Sequence, residues 1–155
     1  MALGLATVVS WSCRCLLAAL AYIAMATLAS ASPTAESVVQ AQLEAYNARD
    51  IDAFIATYAD DVKLFELPDR LLSEGTAPMR ERYGKLFKDE RLHATIVNRI
   101  VMGGTVVDHE RVHLTLPQGP GTLEAIAIYE VRDGKITKVW FRYGDRKLDA
   151  APAGL

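Results

Sequence analysis

Two glycine-centred turns, each set between long runs that alternate apolar and polar residues, most constrain what this chain can fold into. Gly103-Gly104 separates residues 94–102 from 105–116, and Arg132-Asp133-Gly134-Lys135 separates 123–131 from 136–143. Gly-Gly and Asp-Gly tolerate the positive φ that tight hairpins demand, so four antiparallel strands follow. With Gly103-Gly104 as the whole turn, Arg99 faces Asp108, Asn98 faces His109 and Val101 faces Val106. Alternation then puts Asn98 and His109 with Ile96, Ile100 and Val107. Arg99, Asp108 and Glu110 fall on the other face with Val97, Val101 and Val112.

Helical periodicity precedes the strands. Ser32-Pro33-Thr34 opens a helix over residues 35–48, whose Val39, Leu43 and Tyr46 share one side. Asp50 caps a second, short helix with a buried stripe of Ile51, Phe54, Ile55 and Tyr58, ended by Asp60-Asp61. A strand over 62–67 comes next, stopped by Pro68, which cannot donate to a ladder. Its alternation gathers Val62, Leu64 and Glu66. After an irregular stretch, Gly75-Thr76-Ala77-Pro78 signals a third helix with Thr76 as N-cap, running to Leu86-Phe87 with Met79 and Tyr83 inward. Helices first and antiparallel strands after make an α+β layout.

Residues 1–31 carry one charge, Arg14, followed by an apolar run and Ala29-Ser30-Ala31. This is the order of a secretory signal peptide cleaved after Ala31, predicting a secreted or periplasmic protein. The alternative is a membrane anchor over residues 15–31, although the apolar run is about 16 residues and a span needs about 20. The domain then occupies 32–148, and 149–155 is a flexible tail. Both cysteines, Cys13 and Cys15, lie in the leader, leaving no thiol or disulfide. With Arg14 gone, 16 basic residues face 19 acidic ones, a net of −3 without any basic run, so no nucleic acid partner is expected. His93, His109 and His113 lack ligand spacing and a third partner, so no metal is expected, and no motif calls for a cofactor.

The segments VVQAQLEAYNARDIDAFIATYADDV (38–62), GTAPMRERY (75–83) and DGKITKVWFRYGD (133–145) resemble the nuclear transport factor 2-like superfamily, in its SnoaL-like and steroid delta-isomerase-like branch. The resemblance implies a cone-shaped α+β barrel, with N-terminal helices packed on a strongly curved, mostly antiparallel sheet. It further implies an apolar pocket for a small hydrophobic molecule and a homodimer formed through the sheet. The superfamily holds isomerases, cyclases, epoxide hydrolases and non-catalytic proteins, so function rests on the site.

Counting from Ala59-Asp60-Asp61, the position of the isomerase base falls on Glu66, which implies proton transfer next to a carbonyl. The oxyanion donors are replaced, since Gln42 stands at the tyrosine position and Ala127 at the aspartic acid position. Tyr46 is the catalytic donor candidate one turn beyond Gln42, with Tyr58 and Tyr83 beside it as pocket phenols. His109 is either a pocket acid or base, with Asn98 binding substrate, or half of a register-fixing pair. Arg99 and Asp108 read as an ion pair, or with Glu110 as an epoxide-hydrolase-like water-activating set. Trp140 and Phe141 fall on opposite faces of the last strand, and Trp140 is assigned to the substrate pocket. The competing reading is a binding or dimeric interaction module of the same fold without turnover.

Overall fold

The computed structural model describes residues 32–150, and the predicted leader and the last residues of the tail lie outside them. Helix α1 spans Ala35–Ala48, α2 Ile51–Ala56 and α3 Thr76–Leu86. The strands are β1 Tyr58–Glu66, β2 Arg70–Glu74, β3 His93–Met102, β4 Thr105–Leu116, β5 Gly119–Arg132 and β6 Lys135–Leu148. They form one sheet in the order β2-β1-β6-β5-β4-β3. Only β1 and β6 run parallel among these neighbours. The helices cover the inner face of this curved, open sheet, as an α+β cone requires.

Local chemistry explains the helix ends. The Thr34 hydroxyl accepts from the Ser37 N–H and caps α1, and the Asp50 carboxylate accepts from the Asp52 and Ala53 N–H groups and caps α2. Between them, Arg49 takes a left-handed conformation that turns the chain. The Asn47 amide then fastens α1 to β3: it donates to the Ala94 carbonyl (2.9 Å) and accepts from the Ala94 N–H (2.7 Å). The second hairpin turns on Asp133 and Gly134, with φ of 50° and 73°. Two consecutive positive values are what an Asp-Gly turn tolerates.

Several boundaries differ from the sequence reading. Tyr58 begins β1 rather than closing α2, because it pairs with Ile136 and the neighbouring Thr57 carbonyl accepts from the Ile136 N–H. The stretch expected to be irregular forms β2, an edge strand whose bulge between Leu71 and Ser73 hid its alternation. Gly75 (φ 83°), not Thr76, is the N-cap of α3 and makes no side-chain cap. Strand β5 begins at Gly119, four residues before the alternating run that starts at 123.

The β3–β4 register pairs Arg99 with Asp108, Asn98 with His109 and Val101 with Val106 as expected. A bulge at Val97 shifts the remainder, so Ile96 rather than Val97 lies against Glu110, moving Ile96 to the inner face.

The core gathers between the helices and this inner face. Phe54 sits at its centre, with ring centroids of Tyr58, Tyr83, Phe87 and Tyr46 between 4.6 and 6.0 Å away. Val62, Leu64, Val106, Ile136 and Val139 supply the sheet's contribution. One charged pair enters this layer. Arg99 donates to both Asp108 oxygens at 2.7 Å and to the Gln40 side-chain oxygen at 3.0 Å. Asp108 is 1% exposed, so its charge depends on Arg99. Arg99→Ala leaves that carboxylate buried without its cation and is expected to cost about 3–5 kcal/mol in urea unfolding, whereas Arg99→Met with Asp108→Leu restores most of it.

Candidate functional site

Beyond the core, the helices and the sheet diverge around a cavity of about 650 Å³, within the size range of small-molecule sites. Helix α1 contributes Gln42, Leu43 and Tyr46, and α3 contributes Arg82, Tyr83 and Leu86. The sheet supplies an apolar patch of the wall, Val112, Leu114, Leu123, Ala125 and Phe141, set among polar and charged lining residues. Space exists there because β5 turns a small residue inward at Ala125, opposite Glu110.

Glu110 is the group that stands out on this wall. It is 9% exposed, and its carboxylate accepts a hydrogen bond from the buried Tyr129 hydroxyl at 3.0 Å. Burial pushes its pKa up from 4.5 to about 7; the Tyr129 bond and Arg99 pull the other way, while the neighbouring Asp108 charge adds to the rise. An acid in this condition exchanges its proton near neutrality, as general acid–base chemistry requires. The surrounding phenols are held neutral: burial raises the pKa of Tyr46, Tyr58, Tyr83 and Tyr129, and nearby carboxylates and phenols add to it. Tyr46 and Tyr83 line the cavity as hydrogen-bond donors. Gln42 lines it too and is buried.

Glu66 also reaches the cavity, on the face of Val62 and Leu64 that alternation indicates. Its setting differs from that of a desolvated base. Arg70 donates to its carboxylate, and the Glu66 side chain is 30% exposed, so cation and water meet its charge. Arg82 and Arg146 line the same exposed end, with Tyr143 beside them.

Tyr58, expected as a pocket phenol, is buried against Phe54 in the core and does not line the cavity, and three further expected site residues lie elsewhere. His109 and Asn98 pair across the strands on the outer face, where His109 Nε2 is 3.8 Å from Glu124. Trp140 is on that face as well, stacked on Phe65 at 5.7 Å, while Phe141 takes the cavity side. Their placement is corrected for one reason: alternation sorts residues into two faces without saying which is concave, and the helices cover the Asp108–Glu110 face. The residues that sequence reading undervalued are Glu110 and Tyr129. Their signal was present, since Val106, Asp108, Glu110 and Val112 alternate on one face. No group of three or more His, Cys, Asp or Glu side chains converges on a metal-sized site among the described residues.

A family model described as SnoaL-like domain matches residues 39–139. Solved structures share the fold. An LEH-like epoxide hydrolase from M. tuberculosis is 20% identical, with TM-score 0.60 over 71% of this chain and 82% of that one. The epoxide hydrolase/cyclase-like enzyme SalBIII, of pyran ring formation in the polyether salinomycin, is 17% identical, with TM-score 0.64 over 71% and 90%. A protein with a ketosteroid isomerase-like fold from Catenulispora acidiphila DSM 44928, in complex with trimethylamine, is 16% identical, with TM-score 0.59 over 68% and 84%. No curated protein matches the chain significantly.

The raised Glu110 pKa has a measurable linkage. Between about pH 4.5 and 7 the folded chain keeps a proton that the unfolded chain releases, so the folded state binds more protons there. The stability that Glu110 contributes is therefore complete below pH 4.5 and is lost as pH rises through 7. Glu110→Gln is expected to remove this fall, read as a smaller change in urea midpoint across that interval than in the wild type.

Proposed function

Since the chain belongs to the SnoaL-like domain family, as the match over residues 39–139 shows, we propose that its cavity binds a small, largely apolar molecule and transfers a proton on it. The observation that carries this reading is the buried Glu110 carboxyl on the cavity wall, held by Tyr129 and titrating near 7. As a carboxylate, Glu110 removes a proton from carbon next to a carbonyl; as an acid, it returns that proton at another carbon or to oxygen. The electrons left on the carbonyl oxygen need a donor, and the neutral phenols of Tyr46 and Tyr83 are the available ones. Isomerisation and cyclisation are both reactions of this type. The base expected at Glu66 moves in this proposal to Glu110, and Glu66 becomes a rim residue.

One observation favours a second reading, binding without turnover. The Tyr129 hydroxyl is already given to Glu110, so it supplies no hydrogen bond to a developing oxyanion. The proposal also includes export through residues 1–31, supported by their charge-then-apolar pattern, and a homodimer. Support for the dimer is the aromatic outer face formed by Phe65 and Trp140.

Incubating the protein with enolisable ketones in deuterium oxide tests the proton-transfer reading by mass spectrometry. Glu110→Gln is expected to slow exchange by about 100-fold or more, and Glu66→Gln by far less. The wild-type exchange rate is expected to rise with pH through about 7 as the Glu110 carboxylate forms. Exchange that survives Glu110→Gln overturns the assignment, and binding of the ketones without exchange supports the second reading.

A further inference from the structure

The exposed end of the cavity carries charges that proton transfer at Glu110 does not employ. Arg70, Arg82 and Arg146 line it with a single carboxylate, Glu66. Arg70 is paired with Glu66, which leaves two guanidinium groups with no carboxylate partner among the described residues. Arg82, on α3, lies near enough to Tyr143 on β6 for its charge to pull down the tyrosine pKa that burial raises. Arg146 follows three residues later on the same strand, opposite the cavity residue Leu123.

Most other arginines behave differently. Arg80, Arg91, Arg111 and Arg132, none of which lines this cavity, each lie within 3.2 Å of an Asp or Glu oxygen, whereas Arg49 and Arg142 form no ion pair among the described residues and lie away from the cavity. The chain as a whole has a net charge of −2, so a cationic mouth runs against its overall sign.

We propose that the ligand is an amphipathic organic acid: its anionic group docks on Arg82 and Arg146, and its apolar body extends along Leu123 and Ala125 toward Glu110. Guanidinium groups match a carboxylate or sulfonate by parallel N–H donation, and the apolar side chains of Leu123 and Ala125 favour an anion that carries an apolar body. Docking from the mouth fixes which carbon arrives at Glu110. The inference rests on the proton-transfer reading for that orientation, but not for the recognition of charge.

Two fluorescent probes with one aromatic skeleton separate charge from apolar burial: 8-anilinonaphthalene-1-sulfonate, an anion, and N-phenyl-1-naphthylamine, which is neutral. Titrated into the full chain, the double variant Arg82→Gln/Arg146→Gln is expected to weaken the sulfonate by about tenfold and the neutral probe by less than about twofold. Arg82→Lys/Arg146→Lys is expected to restore most of the sulfonate affinity. Added salt is expected to weaken only the sulfonate. Filling the cavity with Ala125→Phe or, from the opposite wall, Leu43→Trp should abolish both signals.

Equal effects of the glutamine pair on both probes overturn the proposal. So does sulfonate binding that survives a filled cavity, since the probe then sits elsewhere. Both probes report without turnover. Lost arginine dependence with intact Glu110-dependent exchange therefore sinks only the anion site, and the converse sinks only proton transfer.

Discussion

The cavity depends on volume that is missing from one strand. β5 presents Ala125 to the cavity at the position facing Glu110, where a larger side chain would fill the space. Around Phe54 the same fold packs aromatic rings against one another at tilted and T-shaped angles. One sheet thus serves two purposes, a filled half that holds the helices and an open half that accommodates a guest. The change from one to the other takes place along β5, between the buried Tyr129 and Ala125.

Electrostatics divides along the same line. Asp108 and Glu110 are two residues apart on the inner face, yet they have different partners. Arg99 grips Asp108 with two hydrogen bonds, so that aspartate can remain charged while almost wholly buried. Glu110 has only the neutral Tyr129 hydroxyl, and burial holds its proton on. The fixed charge next door reinforces this, since removing the Glu110 proton places a second negative charge near the first.

Much of the fold was legible because backbone rules act locally. The Gly-Gly and Asp-Gly turns set the hairpins, and Asp50 and Thr34 set the helix starts, with no long-range information needed. Errors arose where pairing decided the outcome: Tyr58 joined β1 because β6 took its backbone, and the bulge in β2 concealed a strand. The site was legible only in part. Glu66, Gln42, Tyr46 and Tyr83 do reach the cavity. His109, Asn98 and Trp140 do not, because alternation is symmetric and the sequence of a strand carries no label for its concave side. Glu110 gained its character from burial and from a tyrosine 19 positions away, neither of which a local pattern contains.

The amide of Asn47 has a consequence for the free margin of the sheet. β3 is an edge strand, and its outward backbone groups are a template on which another chain could pair. Near its start, Asn47 occupies both the N–H and the C=O of Ala94, standing in for one rung of a missing neighbour. The bulge at Val97 then breaks the regular spacing that an incoming strand would need. Past it lie Ile100, Val101 and Met102, exposed, apolar and unprotected by charge. The margin is thus guarded at its root and vulnerable at its tip, so unwanted self-association of this protein would begin at the Gly103-Gly104 hairpin.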